Sequence, residues 1–182
     1  CPPARGYRIE KLMMTEQMSV KIAALPSLRL TVEAHGLMAK KALGQNFLLD
    51  QNITDKIINL SLQKQNKKDF SGANVFEVGP GPGGLTRAVL AAEPKSLTVV
   101  EMDERCIAIM NEIKEKTGDI LHIINGDAMQ TDFSVLAPAP RHIISNLPYN
   151  ISVPLLVGWL KNINAYDSLT LMFQKEVAER IT

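Results

Sequence analysis

From residue 72 onward, short β-branched apolar runs alternate with segments of helical periodicity. This alternation is typical of βαβ units, in which helices join parallel strands and cover the sheet. The apolar runs predict strands at 74–78, 97–101, 121–125, 142–145 and 169–173. The pattern therefore predicts an α/β domain built on an open parallel sheet.

Capping residues place the helices between these strands. Asp50 and Asp103 each stand directly before a helical pattern, where a carboxylate can accept a backbone N–H of the first turn. We expect helices over 51–65, 84–92, 104–116 and 152–161. The helix after Asp50 should bury one face, formed by Ile53, Ile57, Ile58 and Leu62.

The bulk composition limits the kind of protein this is. With 182 residues, of which 46% are hydrophobic, the chain can bury one main core. Only 5% of residues are aromatic, so any base recognition should involve a few residues in one nucleotide-sized site. The net charge of +1 shows no bulk signature of nucleic-acid binding, although positive residues are in excess up to Leu49.

The two cysteines and the apolar runs indicate where the protein works. Cys1 and Cys106 lie far apart without metal-ligand or CxxC spacing, so we expect neither a metal site nor a disulfide. This is consistent with a reducing cytoplasm. The apolar runs are too short to cross a bilayer, so a soluble cytoplasmic protein is expected.

A glycine-rich turn follows the first predicted strand. Gly79, Gly81 and Gly84 match GxGxxG between a strand and a helix, where backbone amides can approach a ligand closely. Glu101 ends the second strand 22 residues after Gly79, where a carboxylate can accept hydrogen bonds from ribose hydroxyls. An ordinary turn and a solvated strand end are the alternatives. The pattern indicates an adenosine-containing ligand and leaves NAD and S-adenosylmethionine both open.

Two further segments follow the third and fourth strands. Asp127 comes directly after the third strand, where its carboxylate could accept a hydrogen bond from an adenine amine. Asn146-Leu147-Pro148-Tyr149 follows the fourth strand. The Asn146 side-chain oxygen and the carbonyl of Leu147 or Pro148 could accept the two N–H groups of the exocyclic amine of adenine. Tyr149 could stack on the base. Alone, this tetrapeptide would more often be a turn.

Five segments in this order resemble the bacterial small-subunit (16S) rRNA adenine-N6,N6-dimethyltransferase family. They are Gly44-Gln45-Asn46-Phe47-Leu48, Glu77-Val78-Gly79-Pro80-Gly81, Gly126-Asp127-Ala128, Asn146-Leu147-Pro148-Tyr149-Asn150-Ile151-Ser152 and Phe173-Gln174-Lys175-Glu176. The resemblance covers about Leu37 to the end. It implies a Rossmann-like S-adenosylmethionine-dependent methyltransferase fold, truncated here after the fifth strand. It also implies a catalytic domain at 37–182, preceded by an N-terminal extension at 1–36. Part of this extension is expected to be disordered.

The resemblance implies roles for individual residues. The methyl donor would contact Asn46, Leu48, Gly79, Glu101, Asp127 and Asn146. Asn146 and Tyr149 would hold the target adenine and Phe173 would stack on its other face, although a core strand position is the alternative for Phe173. Lys40 and Lys41 could contact RNA phosphates, or could simply be solvated charges.

The activity implied is dimethylation of N6 of two adjacent adenines in a small-subunit rRNA hairpin, by a monomer acting on the rRNA or a pre-30S particle. Related erythromycin-resistance enzymes act on large-subunit rRNA and share this layout. Two different kinds of protein also stay open as hypotheses, a nicotinamide-dependent oxidoreductase and a non-catalytic rRNA-binding assembly factor. The family continues past the fifth strand with the rest of its sheet and a small helical domain, so weak donor binding and inactivity are expected of the chain as given.

Overall fold

The computed structural model describes residues 13, 16–38 and 47–181. Within this part, the strands form one parallel sheet of five in the order β3-β2-β1-β4-β5. The strands are β1 (Asn74–Val78), β2 (Ser96–Glu101), β3 (Leu121–Asn125), β4 (Arg141–Asn146) and β5 (Ser168–Met172). The predicted α/β domain with an open parallel sheet is confirmed.

Helices connect successive strands and precede the sheet. They are α1 (Leu28–Ala34), α2 (Gln51–Lys64), α3 (Gly84–Ala91), α4 (Glu104–Thr117), α5 (Phe133–Leu136), α6 (Ser152–Lys161) and α7 (Lys175–Ile181). Residues 16–23 are also helical, and short 3-10 turns occupy Ala128–Gln130 and Ile163–Ala165. Asp50 and Asp103 cap α2 and α4 as predicted, since their side chains accept from Asn52 N and Arg105 N.

Helices cover both faces of the sheet, which explains why the central strands are almost continuously apolar. On one face, α2, α3 and α4 pack against a core that includes Val75 and Val99. On the other face, α5 and α6 pack against a core that includes Phe76 and Trp159. Every residue of β1 is buried. The two faces of the sheet are therefore covered, and the loops beyond the strand ends are the places left for a ligand.

Several limits of elements and one buried face differ from the sequence predictions. β2 begins one residue earlier than predicted, and β4 extends one residue further at each end. β5 begins and ends one residue earlier than predicted, because all five of its residues are only half-buried and its apolar run has no sharp limits. The predicted buried face of α2 is wrong at Ile53, which is 48% exposed. Thr54 and Ser61 are buried instead, and the Ser61 hydroxyl is hydrogen-bonded to the Thr170 hydroxyl of β5 at 2.8 Å. That hydrogen bond offsets the cost of burying a polar residue.

The segment before residue 37 also packs on the domain. Ser27 caps α1, and Leu28 and Val32 are buried. The Arg87 guanidinium of α3 donates to the Pro26 carbonyl at 2.7 Å, which joins this segment to the helix after the glycine turn. The boundary at residues 36 and 37 stays a prediction. No helix in the described ranges has the length and apolarity needed to span a membrane.

Candidate functional site

The order of the strands places the glycine turn beside the Asn146 segment. β1 pairs with β2 on one side and with β4 on the other, so the strand order reverses between β1 and β4. In open parallel sheets, ligands bind beyond the carboxyl ends of the strands at this reversal. Gly79 directly follows β1 and Asn146 ends β4. Both therefore flank the expected ligand crevice.

Close packing at two glycines shapes this crevice. Gly79 has φ 64°, and a Cβ added to it would lie 3.1 Å from Pro148 Cγ. At Gly84, an added Cβ would collide with the Leu48 carbonyl oxygen. Glycine permits this close approach at both positions and, at position 79, a backbone conformation that costs other residues free energy. The glycine turn is thus held between the Asn146 segment and the backbone at Leu48.

A pocket opens between these elements. Its lining combines backbone of the glycine turn, apolar side chains and two polar side chains: Phe47, Leu48, Glu77, Gly79, Pro80, Pro82, Gly84, Leu85 and Asn146. Three residues that the sequence predicted to contact one ligand, Leu48, Gly79 and Asn146, are therefore brought together. Few polar groups in an apolar cleft are typical of a small-ligand site.

Glu101 lies at the end of β2, one strand away from Gly79. Its Oε1 accepts from the backbone N–H groups of Met102 at 2.8 Å and Asp103 at 2.9 Å. These two bonds hold the carboxylate in one orientation. A held carboxylate at the carboxyl edge of β2 has the chemistry needed to accept hydrogen bonds from ribose hydroxyls through its second oxygen.

Asp127 lies one strand further along the same edge. The Gly126 amide donates to the Glu101 carbonyl at 3.0 Å, so the loop after β3 is tied to the end of β2. Asp127 Oδ1 accepts from the Met129 amide at 2.8 Å and begins a 3-10 turn. This bond orients the carboxyl group, whose second oxygen is then suited to accept from an exocyclic amine.

Tyr149 and Phe173 follow neighbouring strands. The Leu147 amide donates to the Met172 carbonyl at 3.4 Å, which brings the loop after β4 beside the loop after β5. Tyr149 is 65% exposed, so its ring is accessible to a base. Phe173 is partly buried and packs against the core under α5 and α6. Both aromatic residues lie at the carboxyl edge, with Phe173 tied more closely to the core.

The predicted residues Asn46, Lys40 and Lys41 lie outside the residues that the structure describes. Their roles in donor and RNA binding remain predictions. Leu48, directly after this segment, is half-buried and lines the pocket.

Glu77 also lines the pocket, and its sequence position predicts no role for it. It is 2% exposed, and its Oε2 accepts from the Thr86 hydroxyl at 2.8 Å. Burial raises the pKa of Glu77 to about 8, against a lowering by the Thr86 hydrogen bond and a further increase caused by Glu101. One feature of the sequence could have indicated Glu77 as a site residue. Glu77 is the one charged residue in β1, whose other residues are Asn74 and three apolar residues.

Comparison with known proteins identifies the family. The family model described as Ribosomal RNA adenine dimethylase matches residues 36–182. Ribosomal RNA small subunit methyltransferase A of Gluconobacter oxydans is 52% identical over 158 residues, covering 87% of this chain and 50% of its own length. The protein of that name from Allorhizobium ampelinum is 51% identical over 161 residues, covering 86% and 56%. The chain spans about half the length of these curated relatives.

Solved structures share the fold. The 23S rRNA methyltransferase ErmE has a TM-score of 0.57 at 24% identity, covering 73% of this chain and 50% of that chain. The SAH-bound methyltransferase PaMTH1 of Podospora anserina has a TM-score of 0.52 at 16% identity, covering 88% and 66%. The predicted Rossmann-like methyltransferase fold is therefore confirmed.

Proposed function

This chain belongs to the ribosomal RNA adenine dimethylase family, and we propose that the protein carrying it methylates N6 of adenine in ribosomal RNA with S-adenosylmethionine as donor. The proposed substrate is a hairpin of small-subunit rRNA with two adjacent adenines, each of which receives two methyl groups. The reaction would take place in the cytoplasm during ribosome biogenesis, on the rRNA or a pre-30S particle, by a monomer.

One observation carries this proposal. Pro148 lies against Gly79, so that Asn146 lines the same pocket as the glycine turn. A donor on the turn and an acceptor base held by Asn146 would then be adjacent, as methyl transfer requires. An oxidoreductase that used the same glycine turn would not need an amide and a proline at this position.

The described residues fit an S-adenosylmethionine molecule. Gly79 and Gly84 are packed closely and present backbone alone, so a ligand can approach the turn at these two positions. Glu101 would accept from the ribose hydroxyls and Asp127 from the adenine amine of the donor, while Leu48 would cover it. Asn46 belongs to the same proposed set. When bound, the donor supplies a methyl group on a cationic sulfur, which is a strong electrophile.

The chain's own residues would act by positioning the acceptor. The Asn146 side-chain oxygen and the carbonyl of Leu147 or Pro148 would accept the two N6 hydrogens, which aims the nitrogen at the methyl group. Proline restricts the backbone on both sides of that carbonyl. Tyr149 and Phe173 would stack on the two faces of the base. Rate enhancement would come from geometry and electrostatics, without a nucleophilic side chain.

Binding of the RNA would involve basic residues before the pocket. We assign phosphate contacts to Lys40 and Lys41, which precede the donor-covering segment in sequence. Phosphate contacts position a nucleic acid without reading its bases. Substitution of both by Gln should weaken binding of rRNA and reduce its salt dependence while leaving donor affinity unchanged; an unaltered salt dependence would remove this assignment.

The experiment is methyl transfer from labelled S-adenosylmethionine to small-subunit particles and to large-subunit rRNA, using the full-length protein that contains this chain. Mass spectrometry of digested RNA should detect N6,N6-dimethyladenosine in the small-subunit product. Modification of large-subunit rRNA alone would instead indicate the erythromycin-resistance type. Donor-independent RNA binding without transfer would indicate an assembly factor, and binding of NADH in place of S-adenosylmethionine would overturn the class.

A further inference from the structure

Glu77 differs chemically from every other described residue that lines the pocket. The described lining consists of glycines, prolines, Phe47, Leu48, Leu85, Asn146 and Glu77. Among these residues, Glu77 is the one whose side chain can ionise. A carboxyl group buried in such a cleft changes the charge of the whole pocket when it gains or loses one proton.

The surroundings of Glu77 favour its neutral form. From α3, the Thr86 hydroxyl donates to Oε2, and Thr86 in turn contacts Met110 of α4. From the end of β2, Glu101 adds a negative charge. Arg87, next to Thr86, is directed away: its guanidinium donates to the Pro26 carbonyl and the Thr31 hydroxyl. Burial and the neighbouring carboxylate act against ionisation and outweigh the hydrogen bond from Thr86, which favours the ionised form.

We propose that Glu77 is a charge-responsive positioning residue, which keeps its proton in the donor-free pocket and releases it when a cationic donor binds. This inference rests on the proposed function, because the cation is the sulfonium donor. An ionised Glu77 would favour the sulfonium form, whereas the thioether product has lost that positive charge. The residue would thus help the site to select fresh donor over spent product.

The protons balance over one turnover. Donor binding transfers the Glu77 proton to solvent. In the transfer step, the sulfur–methyl bond breaks, its electron pair stays on sulfur, the nitrogen–methyl bond forms, and the nitrogen then loses one proton to solvent. The carboxylate takes one proton back once the sulfur is neutral. Each methyl transferred thus yields one proton overall, the one that leaves the adenine nitrogen.

Calorimetry of the full-length protein measures the proton directly. S-adenosylmethionine is titrated at pH 7 in phosphate and in Tris, two buffers with different heats of ionisation. With a pKa of about 8, Glu77 is about nine-tenths protonated at pH 7, so up to about 0.9 proton should be released per donor bound. Glu77→Gln, which can still accept from Thr86, should abolish this buffer-dependent heat. Glu115→Gln, which removes an exposed carboxylate from α4, should retain it.

A second measurement compares the donor with its product. The affinities for S-adenosylmethionine and for its product S-adenosylhomocysteine are compared between pH 6 and pH 8. The two ligands differ in the charge on sulfur, so the ratio of their dissociation constants compares binding of the cationic and the neutral form. The same ratio measured with Glu77→Gln accounts for titration of the free ligands. The ratio should shift in favour of the donor by threefold or more as the pH rises, and this shift should disappear in Glu77→Gln.

The outcomes separate the two proposals. If the wild-type protein does not bind S-adenosylmethionine, the proposed function fails and this inference fails with it. If it binds the donor without buffer-dependent heat, or with a ratio that changes by less than threefold, only the role of Glu77 is overturned. Proton release that persists in Glu77→Gln would also overturn it, since another group would then titrate.

Discussion

Pro148 lies so close to Gly79 that a Cβ at position 79 would be 3.1 Å from the proline Cγ. This contact joins the loop after β4 to the loop after β1, across the point where the strand order reverses. It also explains how residues separated by 69 positions in the sequence form one pocket. The packing of Pro148 against Gly79 is thus the geometric basis of the site.

The first prediction tests this contact. Gly79→Ala should lower donor affinity tenfold or more, because the added methyl group must displace Pro148. It should also lower the free energy of unfolding by about 1 kcal/mol or more, since φ is 64°. Gly72→Ala is the matched control: its φ is 77°, but an added Cβ meets nothing within 4 Å. Calorimetry should show a loss of donor affinity for the first variant alone, and equal affinities would contradict the assigned role of the contact.

The second prediction concerns Asn146. Asn146→Ala should abolish methyl transfer while changing donor affinity by no more than about tenfold, because the side-chain oxygen is proposed to act mainly on the acceptor nitrogen. Asn125→Ala provides the control, since Asn125 ends β3 at the same edge of the sheet and donates to Glu104. Turnover is measured with labelled donor and small-subunit particles. Unaltered transfer by the Asn146 variant would exclude its catalytic role.

The third prediction concerns Glu101. In Glu101→Gln, the amide oxygen can still accept from Met102 and Asp103, but the second position becomes a donor instead of an acceptor. Donor affinity should fall by about tenfold to a hundredfold, as expected for the loss of a hydrogen bond to a charged acceptor. Glu104→Gln, in the next helix, should bind normally. If the Glu101 variant retains full donor affinity, the ribose contact must be made elsewhere.

The fourth prediction concerns stability against acid. His142 is fully buried, with Nδ1 2.8 Å from the Ser168 hydroxyl and Nε2 3.2 Å from Lys67 Nζ. Burial, assisted by Lys67 and opposed by Asp167, lowers the pKa of His142 to about 4. The unfolded chain takes up this proton near pH 6.5 and the folded chain only near pH 4, so stability decreases as the pH falls through that window.

Urea denaturation can measure this effect. Between pH 7 and pH 5, His142 should reduce the free energy of unfolding by about 2 kcal/mol. His142→Gln should lose that part of the pH dependence. His122→Gln, at an exposed position of β3, should keep it. If the free energy of unfolding depends on pH identically in wild type and in His142→Gln, burial does not lower the pKa of His142 and the prediction is wrong.

Most of the secondary structure could be predicted because local rules govern it. β1 and β3 have the predicted bounds, since a glycine, Gly79 or Gly126, directly follows each apolar run and marks its end. Asp50 and Asp103 were recognisable as caps from their position alone. The prediction was wrong at Ile53, because burial on α2 depends on what the helix packs against. The hydrogen bond between Ser61 and Thr170 joins residues 109 positions apart, and no local pattern indicates it.

The sequence by itself determined the class of fold, the succession of strands and helices along the chain, and the motifs that follow the strands. Apolar periodicity, caps and glycine turns determine these features because they act over a few residues. The tertiary structure decided that Leu48, Gly79 and Asn146 line one pocket and that Glu77 is buried within it. These relationships depend on which strands become neighbours, and β1 and β4 pair across more than 60 residues of chain. Burial and the resulting pKa of Glu77 are properties of that packed environment, so they exist only once the chain has folded.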